Sequence, residues 1–122
     1  MKAIVCAAAM LLASPAFAAH LDVIQSKIKP DCSVAQYVAI MNDFNSSWGR
    51  ANGYHAEMAV PLQSDSFEAV FWLGRSANAA AFGKAWDTWR DALANPESVP
   101  AKLQARFDAC TVQMSRRGYD IY

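Results

Sequence analysis

The hydrophobic period of this chain changes several times, and the order of those changes restricts its fold more than any motif it carries. Leu21 to Ile28 mixes apolar and polar residues and stops just before Pro30, which predicts a strand. Ser33 with Gln36 three residues later has the spacing of a capping box, in which hydroxyl and amide satisfy backbone N–H groups left free at a helix start. Val34, Tyr37, Val38, Met41, Phe44 and Trp48 then recur three and four residues apart. They give a helix one apolar face until Asn52-Gly53 offers a stop.

Tyr54 to Leu62 and Phe67 to Gly74 return to a period of two, separated by the turn residues Gln63-Ser64-Asp65-Ser66, and predict a hairpin. Pro61 puts that hairpin at a sheet edge. Pairing Leu62 with Phe67 sets Val60 opposite Ala69, Met58 opposite Phe71 and Ala56 opposite Leu73, so that one face is apolar. His55, Glu57, Glu68 and Trp72 then share the other face. A second helix starts at Ser76 or Asn78, presents Phe82, Trp86, Trp89 and Leu93 on one stripe, and is interrupted at Asn95-Pro96. Val99, Leu103 and Phe107 continue the stripe to Cys110, and Thr111 to Ser115 predicts a last strand that runs out by Arg116-Arg117-Gly118.

The resulting order is βαββαβ, a ferredoxin-like α+β arrangement with a four-stranded antiparallel sheet and two helical segments on one face. Right-handed crossovers bring the start of the first helix and the start of the last strand to the same edge. Cys32 and Cys110 stand at those two places, so the topology predicts a disulfide between them.

The first residues are excluded from this fold. Lys2 precedes an unbroken apolar stretch from Ala3 to Ala13, Ser14-Pro15 breaks it, and Ala16-Phe17-Ala18 has the small-x-small pattern of a cleavage site. Residues 1–18 therefore read as a cleaved signal peptide and residues 19–122 as a single exported domain, periplasmic or secreted. Cys6 leaves with the signal, and the even pair that remains suits an oxidising compartment. The apolar stretch is too short to span a bilayer. The whole chain balances 11 Lys and Arg against 11 Asp and Glu, which leaves no basic surplus for a nucleic-acid partner.

Candidate chemistry is sparse. His55 is a candidate proton shuttle, Glu57 or Glu68 would serve as a base if desolvation raised its pKa, and Trp72 would form an aromatic wall. These four residues are the candidate ligand-binding face. Phe44, Trp48, Phe82, Trp86 and Trp89 have the spacing of a helix core, and a hydrophobic pocket is the alternative reading of the same stripe. No Cys/His cluster has zinc spacing and no glycine-rich phosphate loop is present, so no metal site is predicted. Asn45-Ser46-Ser47 matches a glycosylation acceptor only formally, because it falls inside a predicted helix.

The βαββαβ order, the long aromatic-rich second helix and the mixed polar and apolar sheet face resemble the dimeric α+β barrel superfamily, which includes antibiotic-biosynthesis-type monooxygenases. The resemblance covers nearly all of residues 19–122 and rests on topology, and no catalytic motif of the family is matched residue by residue. It implies a homodimer in which two sheets pack face to face and enclose a cavity. Two function classes follow. The first is a non-catalytic binding or interaction module for an apolar or aromatic small molecule, with no cofactor. The second is a small α+β-barrel oxidoreductase, cofactor-free or haem-linked.

Overall fold

The computed structural model describes residues 18–122, so the export segment assigned to residues 1–18 lies almost wholly outside the described residues. β1 (Ala19–Ile28) leads through Ser33 into α1 (Val34–Phe44), which continues as a π-turn (Asn45–Gly49) and a 3-10 turn (Arg50–Asn52). β2 (His55–Ala59) and β3 (Val70–Ser76) follow, then α2 (Ala79–Ala92), α3 (Val99–Cys110) and β4 (Thr111–Ile121). The strands form one sheet of order β2-β3-β1-β4, and every neighbouring pair is antiparallel. This is the expected ferredoxin-like α+β fold, with its second helical segment divided into α2 and α3.

Local chemistry starts each helix. Ser33 Oγ accepts the N–H of Gln36 at 3.2 Å, Asn78 Oδ1 that of Ala81 at 2.9 Å, and Ser98 Oγ that of Ala101 at 3.1 Å. Each cap contributes about 1 kcal/mol. The first helical run stops at Gly53, whose φ of 66° is open to glycine at little cost.

The π-turn has a definite task. It brings Asn45 over the outer edge of β2, where its amide donates to the Ala56 carbonyl and accepts the Ala56 N–H, both at 2.8 Å. A buried side chain thus stands in for a missing neighbouring strand. That use of the Asn45 amide also closes it to glycosylation in the folded chain. Ser46 and Ser47 hydroxyls donate to the Asp43 carbonyl, and Trp48 is carried inward.

Cys32 and Cys110 are joined, with Cα atoms 5.1 Å apart across a sequence separation of 78. The bridge ties the start of α1 to the junction of α3 and β4, where the Lys29 N–H also donates to the Cys110 carbonyl at 2.9 Å. Closing a loop of this length is worth about 4.5 kcal/mol in the chain-entropy description.

The hairpin departs from expectation. β2 ends at Ala59 and β3 begins at Val70, so the connection is residues 60–69 rather than the four predicted turn residues. Met58 pairs with Trp72, Glu57 with Leu73 and Ala56 with Gly74, one residue away from the predicted register. Two causes are visible. In the loop the N–H groups of Ser66 and Glu68 donate to the hydroxyls of Ser64 and Ser66, and local turns of this kind compete with a ladder. In the sheet, Gly74 has to lie opposite Ala56 on the helix-covered face, because a Cβ there would stand 1.7 Å from the Tyr54 hydroxyl. A shift of one residue reverses every side chain. Trp72 therefore points into the core, 4% exposed, instead of sharing a face with His55 and Glu57.

β4 also exceeds its predicted length, running to Ile121 alongside β1. The pairing slips between Gln25↔Ser115 and Ser26↔Gln113, leaving Met114 as the extra residue of a β-bulge. Without the bulge, Thr111 and Gln113 would not share a face with Arg116 and Gly118. With it, all four lie on the side that the helices cover.

Candidate functional site

The four residues expected to share a site do not meet. His55 and Glu57 lie exposed on the open face of the sheet, where Arg75 Nε donates to Glu57 Oε2 at 2.8 Å. That hydrogen bond and the guanidinium charge lower the Glu57 pKa, the reverse of the rise a general base would need. Glu68 is exposed in the 60–69 loop, and Trp72 is on the opposite side of the sheet.

What the fold assembles instead lies between the sheet and its helices. A cavity of about 210 Å³ opens there, and all four tryptophans of the chain, Trp48, Trp72, Trp86 and Trp89, line it. α1 and its π-turn supply Phe44 and Trp48, whose rings sit 5.5 Å apart, and α2 supplies Trp86 and Trp89. Trp48 and Trp89 meet edge to face at 4.9 Å. From α3, Phe107 stands edge-on to Trp72 at 5.3 Å. The aromatic stripes are thus both core and pocket wall, so the two readings of their spacing describe the same residues. Gln104, Asp108, Thr111 and Gln113 add a polar rim.

A chain of polar groups runs along the sheet side of the cavity. Trp72 Nε1–H donates to the Tyr54 hydroxyl at 2.8 Å, and that hydroxyl donates to Asp22 Oδ2 at 2.8 Å. Arg116 holds the same carboxylate in a two-point grip, Nε to Oδ1 at 2.9 Å and Nη2 to Oδ2 at 2.7 Å. Asp22 is 1% exposed, and such a carboxylate persists in a protein interior only with partners of this strength. The Arg116 guanidinium in turn lies 4.0 Å over the Trp86 ring. Burial, followed by the adjacent Asp22 charge, pushes the Tyr54 pKa far above the ordinary phenol range, so its proton stays in place. Burial likewise raises that of Tyr37 on the cavity wall, opposed by a hydrogen bond with Ser26.

Sequence reasoning missed Asp22, Tyr54 and Arg116. One signal was present: Asp22 interrupts an apolar strand between Leu21 and Val23 on the same parity as Ile24, and a carboxylate there requires a buried partner. The partner's identity was hidden by the β4 bulge.

The wall does not fit a haem. An axial ligand is drawn from imidazole, thiolate, thioether or phenolate, and the lining holds none of the first three. Its two phenols have raised pKa values and keep their protons. Among the described residues no group of three or more His, Cys, Asp or Glu is placed to hold a metal ion.

The sheet order, the helices on one face and the cavity between them define a ferredoxin-like α+β fold. No protein-family model matches the sequence, and no curated protein matches it either. Solved structures do share its shape. SnoaB, a cofactor-independent oxygenase from Streptomyces nogalater, superposes with a TM-score of 0.56 at 8% identity, over 86% of this chain and 94% of that one. A conserved protein from Methanosarcina mazei Go1 gives 0.58 at 12% identity, over 88% and 96%. The hydroxynitrile lyase of Passiflora edulis gives 0.51 at 18% identity, also over 88% and 96%. At these identities the likeness is one of fold.

Proposed function

We propose that this chain is a small-molecule-binding α+β domain whose ligand, a planar apolar or aromatic compound, occupies the tryptophan-lined cavity. The observation that carries the reading is the convergence of all four tryptophans on one cavity of about 210 Å³. A fold that needed only a core would fill such a space with side chains. Most polar groups of the wall hydrogen-bond to one another, and the Asp22 carboxylate and Tyr54 phenol behind it are fixed in their hydrogen bonds. That arrangement favours holding a ligand over transforming it.

The test uses tryptophan fluorescence, which reports directly on the cavity. Titration with naphthalene should quench the unmodified protein to saturation. Ala85→Leu, which adds bulk to a buried residue of the wall, should abolish the quenching and keep the circular dichroism spectrum. Unaltered quenching in a folded Ala85→Leu protein would exclude this cavity as the site.

The second reading is a small α+β-barrel oxidoreductase acting in the same cavity. It draws support from the fold shared with SnoaB and from the Trp72–Tyr54–Asp22 hydrogen-bond chain at the wall. Consumption of dioxygen with a hydroquinone, lost in Tyr54→Phe, would establish it.

The domain is proposed to act as an exported homodimer. Support for export comes from the signal pattern of residues 1–18 and from the Cys32–Cys110 bridge. Support for a dimer comes from the open sheet face, where Leu21, Val23, Phe71 and Leu73 lie beside the exposed Tyr119 and Ile121. Sedimentation of the unmodified protein as a dimer, and of Leu73→Lys as a monomer, is the expected result. Among the described residues no helix is long and apolar enough to cross a membrane.

A further inference from the structure

The tryptophan-lined cavity and its neighbour share three lining residues. Phe82, Trp86 and Arg116 line both the 210 Å³ cavity and a second recess of about 300 Å³ bounded also by His20, Asp22, Arg117 and Gly118. Neither space alone exceeds the lower end of the range for small-molecule sites, about 300–1,000 Å³, whereas the two together fall well inside it.

Arg116 is the polar member of the three. A guanidinium carries five N–H donors, and Asp22 takes two of them. The other three have no protein acceptor among the described residues, and the side chain is about a quarter exposed. A further group in the recess is His20, whose Nδ1 lies 3.9 Å from Asp120 Oδ1. His20 stacks on Phe82 at 4.5 Å, and both its ring nitrogens are buried without a hydrogen bond among the described residues. The position of that ring also accounts for Gly118, because a Cβ there would stand 2.9 Å from His20 Cε1.

Charge decides what kind of acceptor suits this edge. The Arg116 cation is already matched by the Asp22 anion, so the pair is neutral. A ligand carboxylate would bring a second negative charge beside a buried carboxylate, and the other arginine bordering the recess, Arg117, pairs with Val23 and by strand alternation sends its side chain to the open face. A carbonyl oxygen takes the same hydrogen bonds and adds no charge.

We infer that the ligand is a planar ring system bearing an uncharged carbonyl, seated with its rings among the tryptophans and its oxygen on the free edge of Arg116, facing the His20 recess. This rests on the proposed binding function and specifies its ligand class. Arg116 is then the residue that sets specificity, and the aromatic wall supplies affinity without discrimination.

The experiment compares three probes of one ring system by tryptophan quenching and calorimetry on the full domain at neutral pH: 2-acetonaphthone, 2-isopropylnaphthalene and 2-naphthoate. The ketone should bind about tenfold or more tightly than the hydrocarbon, as a hydrogen bond to a charged donor predicts, and more tightly than the carboxylate. Arg116→Lys retains a cation for Asp22 but loses the planar fork. It should remove the advantage of the ketone over the hydrocarbon. The series on the unmodified protein is decisive even if that variant does not fold. Equal affinity for ketone and hydrocarbon would overturn the inference and leave the cavity reading standing. Tightest binding of naphthoate would overturn it in favour of an anion site. Failure of all three probes to bind would overturn both readings.

Discussion

Two arginine–carboxylate pairs occupy opposite faces of the same sheet. Arg116 meets Asp22 at 2.7 Å and Arg75 meets Glu57 at 2.8 Å, so distance does not separate them. Burial does. The Asp22 side chain is 2% exposed and that of Glu57 is 50% exposed. Water screens the outer pair and would solvate either partner alone, whereas Asp22 without Arg116 would be a buried charge held only by the Tyr54 hydroxyl. Chemically identical contacts can therefore be dispensable on one side of a sheet and indispensable on the other.

Breaking the inner pair should have the largest effect. Arg116→Met strands Asp22 and should destabilise the domain by about 3–5 kcal/mol, read from urea unfolding. An unchanged unfolding midpoint would mean that Asp22 is not buried as described. Gly74→Ala tests the same face through packing. Its Cβ would displace the Tyr54 phenol, at a cost of about 3 kcal/mol from overpacking and lost hydrogen bonds.

Removing only the hydroxyl is milder. Tyr54→Phe should cost about 1–3 kcal/mol, because Asp22 and Trp72 each lose a partner. Tyr54 also sets an alkaline limit. Its folded pKa is raised above the unfolded value near 10, so the contribution is fully present below about pH 10 and is lost as pH rises further. Melting temperature should fall between pH 9 and pH 11, less steeply in Tyr54→Phe, and a flat profile would contradict a buried phenol. Smallest is the outer pair. The Glu57 pKa is lowered, so any contribution exists above the ordinary carboxylate range and disappears as pH falls through the folded value. Glu57→Gln should leave the neutral-pH melting temperature unchanged. A clear loss of stability would show that the open face is covered, as in a dimer.

Features governed by near neighbours were legible in the sequence. Ser33 starts its helix where spacing placed it, and Asn78, one of the two expected starts, begins α2, because a cap is a contact across three residues. The Cys32–Cys110 bridge followed from element order and handedness alone. The hairpin face was misread because its parity depends on partners far away: the Tyr54 phenol needing the space at Gly74, and serine turns shortening both strands. The end of β4 was placed too early for a related reason, since its alternation is interrupted by the bulge at Met114 and resumes in the opposite phase.

By itself, then, the sequence determined the βαββαβ order, the helix starts, the covalent tie and an aromatic interior, all of which follow from local periodicity, local hydrogen bonds and topology. Only the tertiary structure decided that Trp72 and Arg116 look inward while His55 and Glu57 look outward. In a strand a single residue of register exchanges the two faces, and register is set by what packs across the sheet rather than by the strand's own residues. The cavity and its Asp22–Arg116 pair exist because those long-range fits select one parity over the other.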